Sequence, residues 1–365
     1  MSLPTFHRTW PFAFCPLFLL CLAAVEQRSA HAQPGVVSAE FIYELEGRPT
    51  PECHASTLVE TADGLLAAWF GGTHENHPDV GIWIARRNEQ GWSSPVQVVD
   101  GSEGEAKDYA CWNPVLFQPR SGPLMLFYKV GVNPRMWWGV LITSTDAGRT
   151  WSKPRRLGTS SQLFAENQNL LGPVKNKPIQ LDDGTILCPS STENEGWRIH
   201  FEATRDLGQT WEVIGPLQAG EKLDAIQPSI LTYDDGKMQI VCRTKQDVLG
   251  TSWSDDQGRS WGPMQSLSLP NPNSGTDAST LADGRQLLVY NHSVRTPQKN
   301  GRQILNVALS RDGQQWNQVL TLENEKHEDG YSYPAVIQTA DGQVHITYTW
   351  RRQTIKHVVL DPSQL

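Results

Sequence analysis

Residues 144–151 read STDAGRTW, and the stretch decides how the chain is read because it recurs. TRDLGQTW occupies 204–211 and SDDQGRSW 254–261, while a shortened SRDGQQW occupies 310–316 and ARRNEQGW, 85–92, keeps only the frame. Five copies spaced by roughly fifty to sixty residues are the mark of a repeat architecture. Within each full copy the aspartate can accept hydrogen bonds from its own turn and the glycine permits a positive φ. The closing tryptophan suits packing between neighbouring sheets. The motif is therefore expected between the third and fourth strands of a repeating sheet, as frame and not as chemistry.

A second signal runs in phase with the first. Asp63-Gly64, Asp183-Gly184, Asp235-Gly236, Asp283-Gly284 and Asp341-Gly342 each separate two β-rich runs, as in SILTYDDGKMQIVCR (229–243) and AVIQTADGQVHITYTW (335–350). Asp-Gly between such runs predicts a two-residue hairpin turn. PVLFQPRSGPLMLFYK (114–129) supplies a sixth hairpin around Ser121-Gly122. Six hairpins alternating with the repeated turn predict an all-β fold, a six-bladed β-propeller with four-stranded blades. The last run, TIKHVVL, leaves its blade one strand short, and VSAEFIYELEG near the start of the domain can complete it. N- and C-terminal strands would then close the ring in one blade and hide its edges.

Bulk properties narrow the function. The formal net charge of −8, without a basic block, argues against a nucleic-acid partner and against an anionic membrane surface. Early positive charge in HRTW, an apolar run over 11–25 and Ala30-His31-Ala32 read as a signal peptide over 1–32. The domain then covers 33–365, exported to the periplasm or the medium. No other segment is apolar enough for stable membrane insertion. Export permits disulfides among Cys53, Cys111, Cys188 and Cys242, although their spacing selects no pairing over buried thiols.

The S-x-D-x-G-x-T-W repeat is the Asp-box, and over nearly all of 33–365 the chain resembles the sialidase superfamily, nearest to bacterial and plant sialidase-like proteins with BNR repeats. The resemblance implies the propeller; the reaction has to be argued from the site. In a propeller, ligands gather over the central channel where the innermost strands begin. Those segments read ECHAST (52–57), CWNPVL (111–116), KNKPIQ (175–180), IQPSIL (226–231), GTDAST (275–280) and YSYPAV (331–336). They bring Glu52, His54, Asn113, Lys175, Asn176, Lys177, Gln227, Asp277, Tyr331 and Tyr333 to one funnel, more varied polar chemistry than strand capping requires.

Sialidases hold a substrate carboxylate with three arginines, whose planar guanidinium pairs bidentately with it. The resemblance assigns two such places, to Arg243 in IVCRTK and to Arg302 in NGRQILNVALS. The family's first-blade arginine is absent; His54 stands nearest, and Lys175, Lys177 and Arg351 are further cations. By the same resemblance Asp79, in HENHPDVGIWIARR, matches the acid/base aspartate, and Tyr331, in GYSYPAV, the tyrosine nucleophile. The glutamate that activates that phenol is replaced by Gln227, so Asp277 or Glu52 would have to serve instead.

Three functions follow. The first is an exo-glycosidase that removes a terminal acidic sugar, sialic or uronic, from a glycan, with Asp79 and Tyr331 reacting and Arg243 and Arg302 as clamp. The second is a polysaccharide lyase in which His54, with Tyr331 or Tyr333, abstracts a proton beside a uronate carboxylate. The third is glycan binding without chemistry, using Trp69, Trp83, Trp112, Trp137 and Trp138 as stacking faces. His74 and His77 lie at irregular spacing from nearby carboxylates, so neither a metal nor another cofactor is expected.

Overall fold

Six antiparallel sheets account for nearly every strand of the protein, here a computed structural model that describes residues 1–5, 33–102, 109–163, 167–194, 196–217, 220 and 222–365. The expected signal peptide lies outside the described residues from residue 6 to 32. The remainder, Gln33–Leu365, forms one unit. Blade 1 is Glu52–Thr61, Gly64–Gly72 and Gly81–Asn88 with an outer edge in two pieces, Gly91–Trp92 and Val96–Val99. Blade 2 is Cys111–Phe117, Leu124–Val130, Trp138–Ser144 and Arg155–Arg156, and blade 3 is Ile179–Gln180, Ile186–Thr192, Arg198–Thr204 and Glu212–Ile214. Blade 4 is Ala225–Thr232, Met238–Thr244, Val248–Ser254 and Gln265–Pro270, and blade 5 is Asp277–Thr280, Gln286–Tyr290, Ile304–Ser310 and Asn317–Asn324.

Blade 6 combines the two ends of the domain. Tyr331–Gln338, Val344–Trp350 and Thr354–Leu360 are followed at the edge by Val36–Phe41, which pairs antiparallel with Thr354–Leu360. The closure expected from the sequence is present, and the last strand of the chain is not an open edge. The apolar side chains segregate into six clusters, one between each pair of adjacent blades. Cys53, Cys111, Cys188 and Cys242 fall in four different clusters, so all four remain buried free thiols. Burial pushes the Cys53 and Cys242 thiols up to about 12.

Four of the five Asp-Gly hairpins differ from the expected two-residue turns, whereas in blade 1 Thr61 pairs with Gly64 across the two residues 62–63. Leu181 and Thr185 close a three-residue loop in which the Gly184 amide bonds back to the Leu181 carbonyl (3.0 Å), and Gly184 alone has a positive φ, +88°. The turn is thus a type I turn with a left-handed glycine after it. The aspartate's task is to accept the amide of the second residue beyond it, as Asp183 does from Thr185 (3.0 Å) and Asp235 from Lys237 (3.1 Å).

The Asp-boxes lie between third and fourth strands, on the same face as these hairpins. In the copy at 144–151 Ser144 Oγ accepts the Gly148 amide (2.8 Å), and Asp146 accepts both the Thr150 amide (2.8 Å) and the Thr150 hydroxyl (2.6 Å). The tryptophans pack against the preceding blade: Trp261 stacks on Phe201 at 4.6 Å, and Trp211 meets Phe127 edge-on at 6.2 Å. Each full box is closed on itself, and its side chains are committed to the frame.

Candidate functional site at the channel mouth

The opposite face is built from irregularities. The innermost strands of blades 1, 2, 4 and 6 each carry an extra residue against their neighbour, at His54/Thr57, Trp112/Val115, Ile226/Ser229 and Ser332/Ala335. The residue forced into a positive φ is Ala55, Asn113, Gln227 and Tyr333 respectively, and Lys175 takes the same conformation in blade 3. Such backbone costs roughly 1–3 kcal/mol per non-glycine residue and collects at functional sites. The bulge turns one side chain per blade inward. In blade 5 the corresponding residue is Gly275, where an added Cβ would lie 3.1 Å from the Tyr333 ring and 3.2 Å from Gln227 Oε1.

Tyr333 is the hub. Its hydroxyl is 2.6 Å from Arg243 Nη1 and 3.4 Å from Gln227 Nε2, and Arg243 Nη1 also reaches Gln227 Oε1 at 3.3 Å. Arg243 is fixed from behind by Asn273 Oδ1, at 3.0 Å from Nε and 2.6 Å from Nη2. Its guanidinium lies 5.0 Å from the Trp197 ring. Arg302 bonds the Asn273 carbonyl (3.3 Å) and stands 5.9 Å from the Tyr333 ring. Beneath them Lys175 Nζ donates to the Thr276 carbonyl (2.7 Å) and to the Pro334 carbonyl, 6.0 Å from the same ring.

Arg352 is the third arginine. It sits beside Arg351 in the mouth-side hairpin of blade 6, where both residues have positive φ (+53° and +59°) and the Gln353 amide returns to the Trp350 carbonyl. A type I′ turn of this kind is normally filled by Asn-Gly. The two side chains part company: Arg351 covers Trp350 and bonds the Tyr331 hydroxyl (3.1 Å), whereas Arg352 pairs with Glu75 (2.8 Å) on the 73–79 loop. Burial pushes the Arg302 guanidinium down to about 10, with Arg243 and Arg352 pushing the same way and Glu75 opposing. Burial, then Arg352, Arg302, Arg243 and Lys175, hold His54 well below the ordinary histidine range, so it is a neutral ring.

Several residues expected at the mouth are elsewhere. Tyr331 is wholly buried in the cluster between blades 5 and 6, because the bulge, with its positive φ at Tyr333, breaks strand alternation and sends Tyr333 alone to the channel. Asp277 is also buried; it pairs with Lys177 (3.0 Å) and accepts the Ser229 hydroxyl (2.9 Å) and the Val336 amide (2.8 Å). Those bonds make both residues a brace between inner strands. His54 is 2% exposed, with Nδ1 on Thr349 Oγ1 (3.0 Å) and its ring 4.1 Å from that of Tyr333. It supports the tyrosine ring from beneath. Trp69, Trp112 and Trp137 are core residues, and Trp83 and Trp138 pack half-buried against clusters.

Asp79 is exposed on its loop and makes its contacts there, with the Thr73 amide (3.0 Å), the Thr73 hydroxyl (2.6 Å) and His77 (2.8 Å). Partial desolvation raises its carboxyl, but the Thr73 and His77 bonds outweigh this and hold it below the usual range. Glu193 is its converse: burial pushes the carboxyl up, against the pull of Arg243 and a bond to Trp197. Glu52 is half-buried at the start of its strand and Asn113 is buried at its bulge. Arg352, Asn273, Glu75, Glu193 and Trp197 escaped the sequence reading, since all lie on loops between second and third strands or before first strands. The consecutive arginines in a hairpin were the one available signal. Among the described residues no three His, Cys, Asp or Glu side chains come together in a metal-binding arrangement.

The BNR repeat-like domain model matches residues 63–346. No curated protein matches the chain by sequence. A protein of unknown function from Dyadobacter fermentans is similar in structure, with a TM-score of 0.71 and 16% identity, over 90% of this chain and 99% of that one. The NanB sialidase of Streptococcus pneumoniae gives a TM-score of 0.70 at 12% identity, over 89% of this chain and 71% of that one. The intramolecular trans-sialidase of Ruminococcus gnavus gives 0.68 at 13% identity, over 91% and 99%. The chain belongs to the BNR repeat-like family and is built on the sialidase-type six-bladed propeller.

Proposed function

We propose that the protein is an exported glycosidase that removes a terminal acidic sugar, sialic or uronic, from a glycan at the channel mouth. One observation carries the reading: Tyr333 presents its hydroxyl 2.6 Å from Arg243, with Arg302 beside the same ring. Arg243, Arg302 and Arg352 would hold the sugar's carboxylate. Tyr333 would attack the anomeric carbon, its proton passing to water while Arg243 meets the charge that develops on the phenol oxygen. The glycosidic oxygen would leave with a proton from Glu193, whose raised carboxyl suits an acid better than the low-lying Asp79. Water then cleaves the tyrosyl–sugar bond, its hydroxyl going to the anomeric carbon and its proton to Glu193, and the released phenolate takes back a proton from solvent.

The replacement of the activating glutamate by Gln227 favours a second reading, β-elimination on a uronate. There the Tyr333 phenolate, held by Arg243, would take the proton beside the clamped carboxylate and return it to the glycosidic oxygen as that bond breaks, and no carboxylate base would be needed. One experiment separates the two. Purified protein is incubated with glycans ending in sialic or uronic acid, and both released sugar and the ultraviolet absorbance of an unsaturated uronate are followed. Saturated sugar that disappears in Tyr333→Phe, with kcat down on the order of 10³-fold, supports the hydrolase. Absorbance that disappears in the same variant supports the lyase; silence in both channels overturns both readings in favour of glycan binding alone.

A further inference from the structure

The fifth Asp-box is one residue short, and a wide groove opens beside it. This groove, about 970 Å³, lies between blades 4 and 5 on the Asp-box face. From Gln227 at the mouth to Tyr233 on its wall the inner strand of blade 4 runs six residues, roughly 20 Å. In the three full boxes the turn glycine faces apolar side chains of the preceding blade, Leu66 for Gly148, Leu141 for Gly208 and Leu187 for Gly258. In the short box Gly313 faces the Gln239 amide oxygen and the Tyr233 hydroxyl, which bond each other at 2.5 Å. An apolar seam has become a polar one.

The deletion also frees a carboxylate. Asp146, Asp206 and Asp256 each give their second oxygen to a Thr or Ser hydroxyl of the box, at 2.6, 2.7 and 2.5 Å. Gln315 stands where that hydroxyl would be, and Asp312 accepts only the Gln314 and Gln315 amides (2.9 and 2.8 Å) and Ser310, all through Oδ1. Among the described residues no donor meets Asp312 Oδ2. Across the groove, half-buried Tyr233 and Trp253 form a tilted aromatic pair with ring centres 5.2 Å apart.

We propose that this groove is a second carbohydrate site, which takes a neutral pyranose unit. A partly exposed aromatic pair offers a face to the C–H side of a sugar ring, and Asp312 Oδ2 an acceptor to its hydroxyls. Four aspartates, Asp234, Asp235, Asp255 and Asp312, outnumber Lys237 and Arg311 on its lining. That balance repels an acidic sugar, in contrast to the cationic mouth. The inference does not depend on the reaction proposed there.

The test uses isothermal titration of the whole protein with lactose and with cellotriose, and with glucuronate as the acidic control. Binding of one neutral probe with a Kd on the order of 1 mM, weakened at least about tenfold in Trp253→Ala and in Asp312→Asn and unchanged in Arg352→Ala, is the expected result. Trp253→Phe, which retains an aromatic face, keeps most of the affinity and guards against misfolding of the alanine variant. No heat with either neutral probe, glucuronate binding that Trp253→Ala weakens as it weakens the neutral probe's, or neutral binding that survives Trp253→Ala overturns the proposal.

Discussion

The two faces of this propeller solve opposite problems with the same strands. On the Asp-box face the three full copies repeat one hydrogen-bonding pattern, and their aspartates are satisfied within their own turns. On the mouth face no two blades present the same side chain: Ala55, Asn113, Lys175, Gln227, Gly275 and Tyr333 occupy equivalent places. Regularity there would bring six like groups together and leave nothing to distinguish one part of a ligand from another. The comparison teaches that in a repeat protein the repeat marks the scaffold, while departures from it mark where chemistry can be placed.

The two adjacent arginines of blade 6 give the largest expected effect. Arg352 faces Glu75 and the field around His54, whereas Arg351 faces Tyr331 and Trp350. Replacing Arg352 by alanine should remove one charged contact to a bound carboxylate, about 2 kcal/mol, and raise KM about 30-fold with little change in Tm. Arg351→Ala should leave KM within about twofold and lower Tm by about 2 °C instead. Steady-state kinetics and melting of the two variants check this, and the reverse pattern would assign the clamp to Arg351.

Gly275 probes the mouth's geometry with the smallest available change. A methyl group there must displace Tyr333 or Gln227 by a few tenths of an ångström, because both lie within 3.2 Å of it. Gly275→Ala should lower kcat about tenfold through misplacement of the Tyr333 oxygen, with stability lost by about 1 kcal/mol. Full activity in this variant would mean that the position of Tyr333 does not matter to turnover.

What could be read from the sequence divides along the same line. The Asp-boxes, the hairpins and the closing strand were legible because each depends on local turn chemistry and alternation, which act over a few residues. Arg243, Arg302 and Gln227 were legible as candidates because they lie on or beside regular strands. Tyr331 and Tyr333 were not separable: one extra residue in the strand decides which of them faces the channel, and a bulge leaves no mark in alternation. Asp277 shows the same limit, since a carboxylate near the mouth reads alike whether it meets a ligand or is consumed by Lys177 and Ser229. Arg352 and Glu75 meet only because blades 1 and 6 are neighbours in the closed ring.

The frame can be broken one box at a time. Asp256 accepts the Ser254 hydroxyl and both the amide and the hydroxyl of Ser260, at 2.8, 2.8 and 2.5 Å. Asp256→Ala should lower Tm by about 2–4 °C and leave activity at the mouth unchanged. Asp312→Ala should cost less, since the short box lacks the hydroxyl bond. Equal losses would show that the second carboxylate oxygen contributes nothing to the frame.

The smallest expected effect concerns pH and two buried lysines. Burial pushes both Lys129 and Lys175 down to about 7, against Glu202 and Asp277 respectively, which pull upward. In the unfolded chain a lysine titrates near ~10.4. Between pH 7 and about 9 the unfolded chain therefore holds protons that the folded protein sheds, and stability rises with pH. Above about 9 the sign reverses, because three cysteines ionise in the unfolded chain against two lysine protons, while Cys53, Cys188 and Cys242, all pushed well up by burial, keep their protons in the folded protein. Melting curves should show a maximum near pH ~9, with a rise of about 2 °C from pH 7. The Lys129→Met, Lys175→Met double variant should flatten the rising limb and leave the falling one. Since Lys175 Nζ also holds the Pro334 carbonyl next to Tyr333, its single replacement should lower kcat, whereas that of Lys129, bonded to the Pro173 carbonyl between blades 2 and 3, should not. An unflattened limb in the double variant would mean that both ammonium groups stay charged in the folded state. The mouth would then hold four fixed cations and not three.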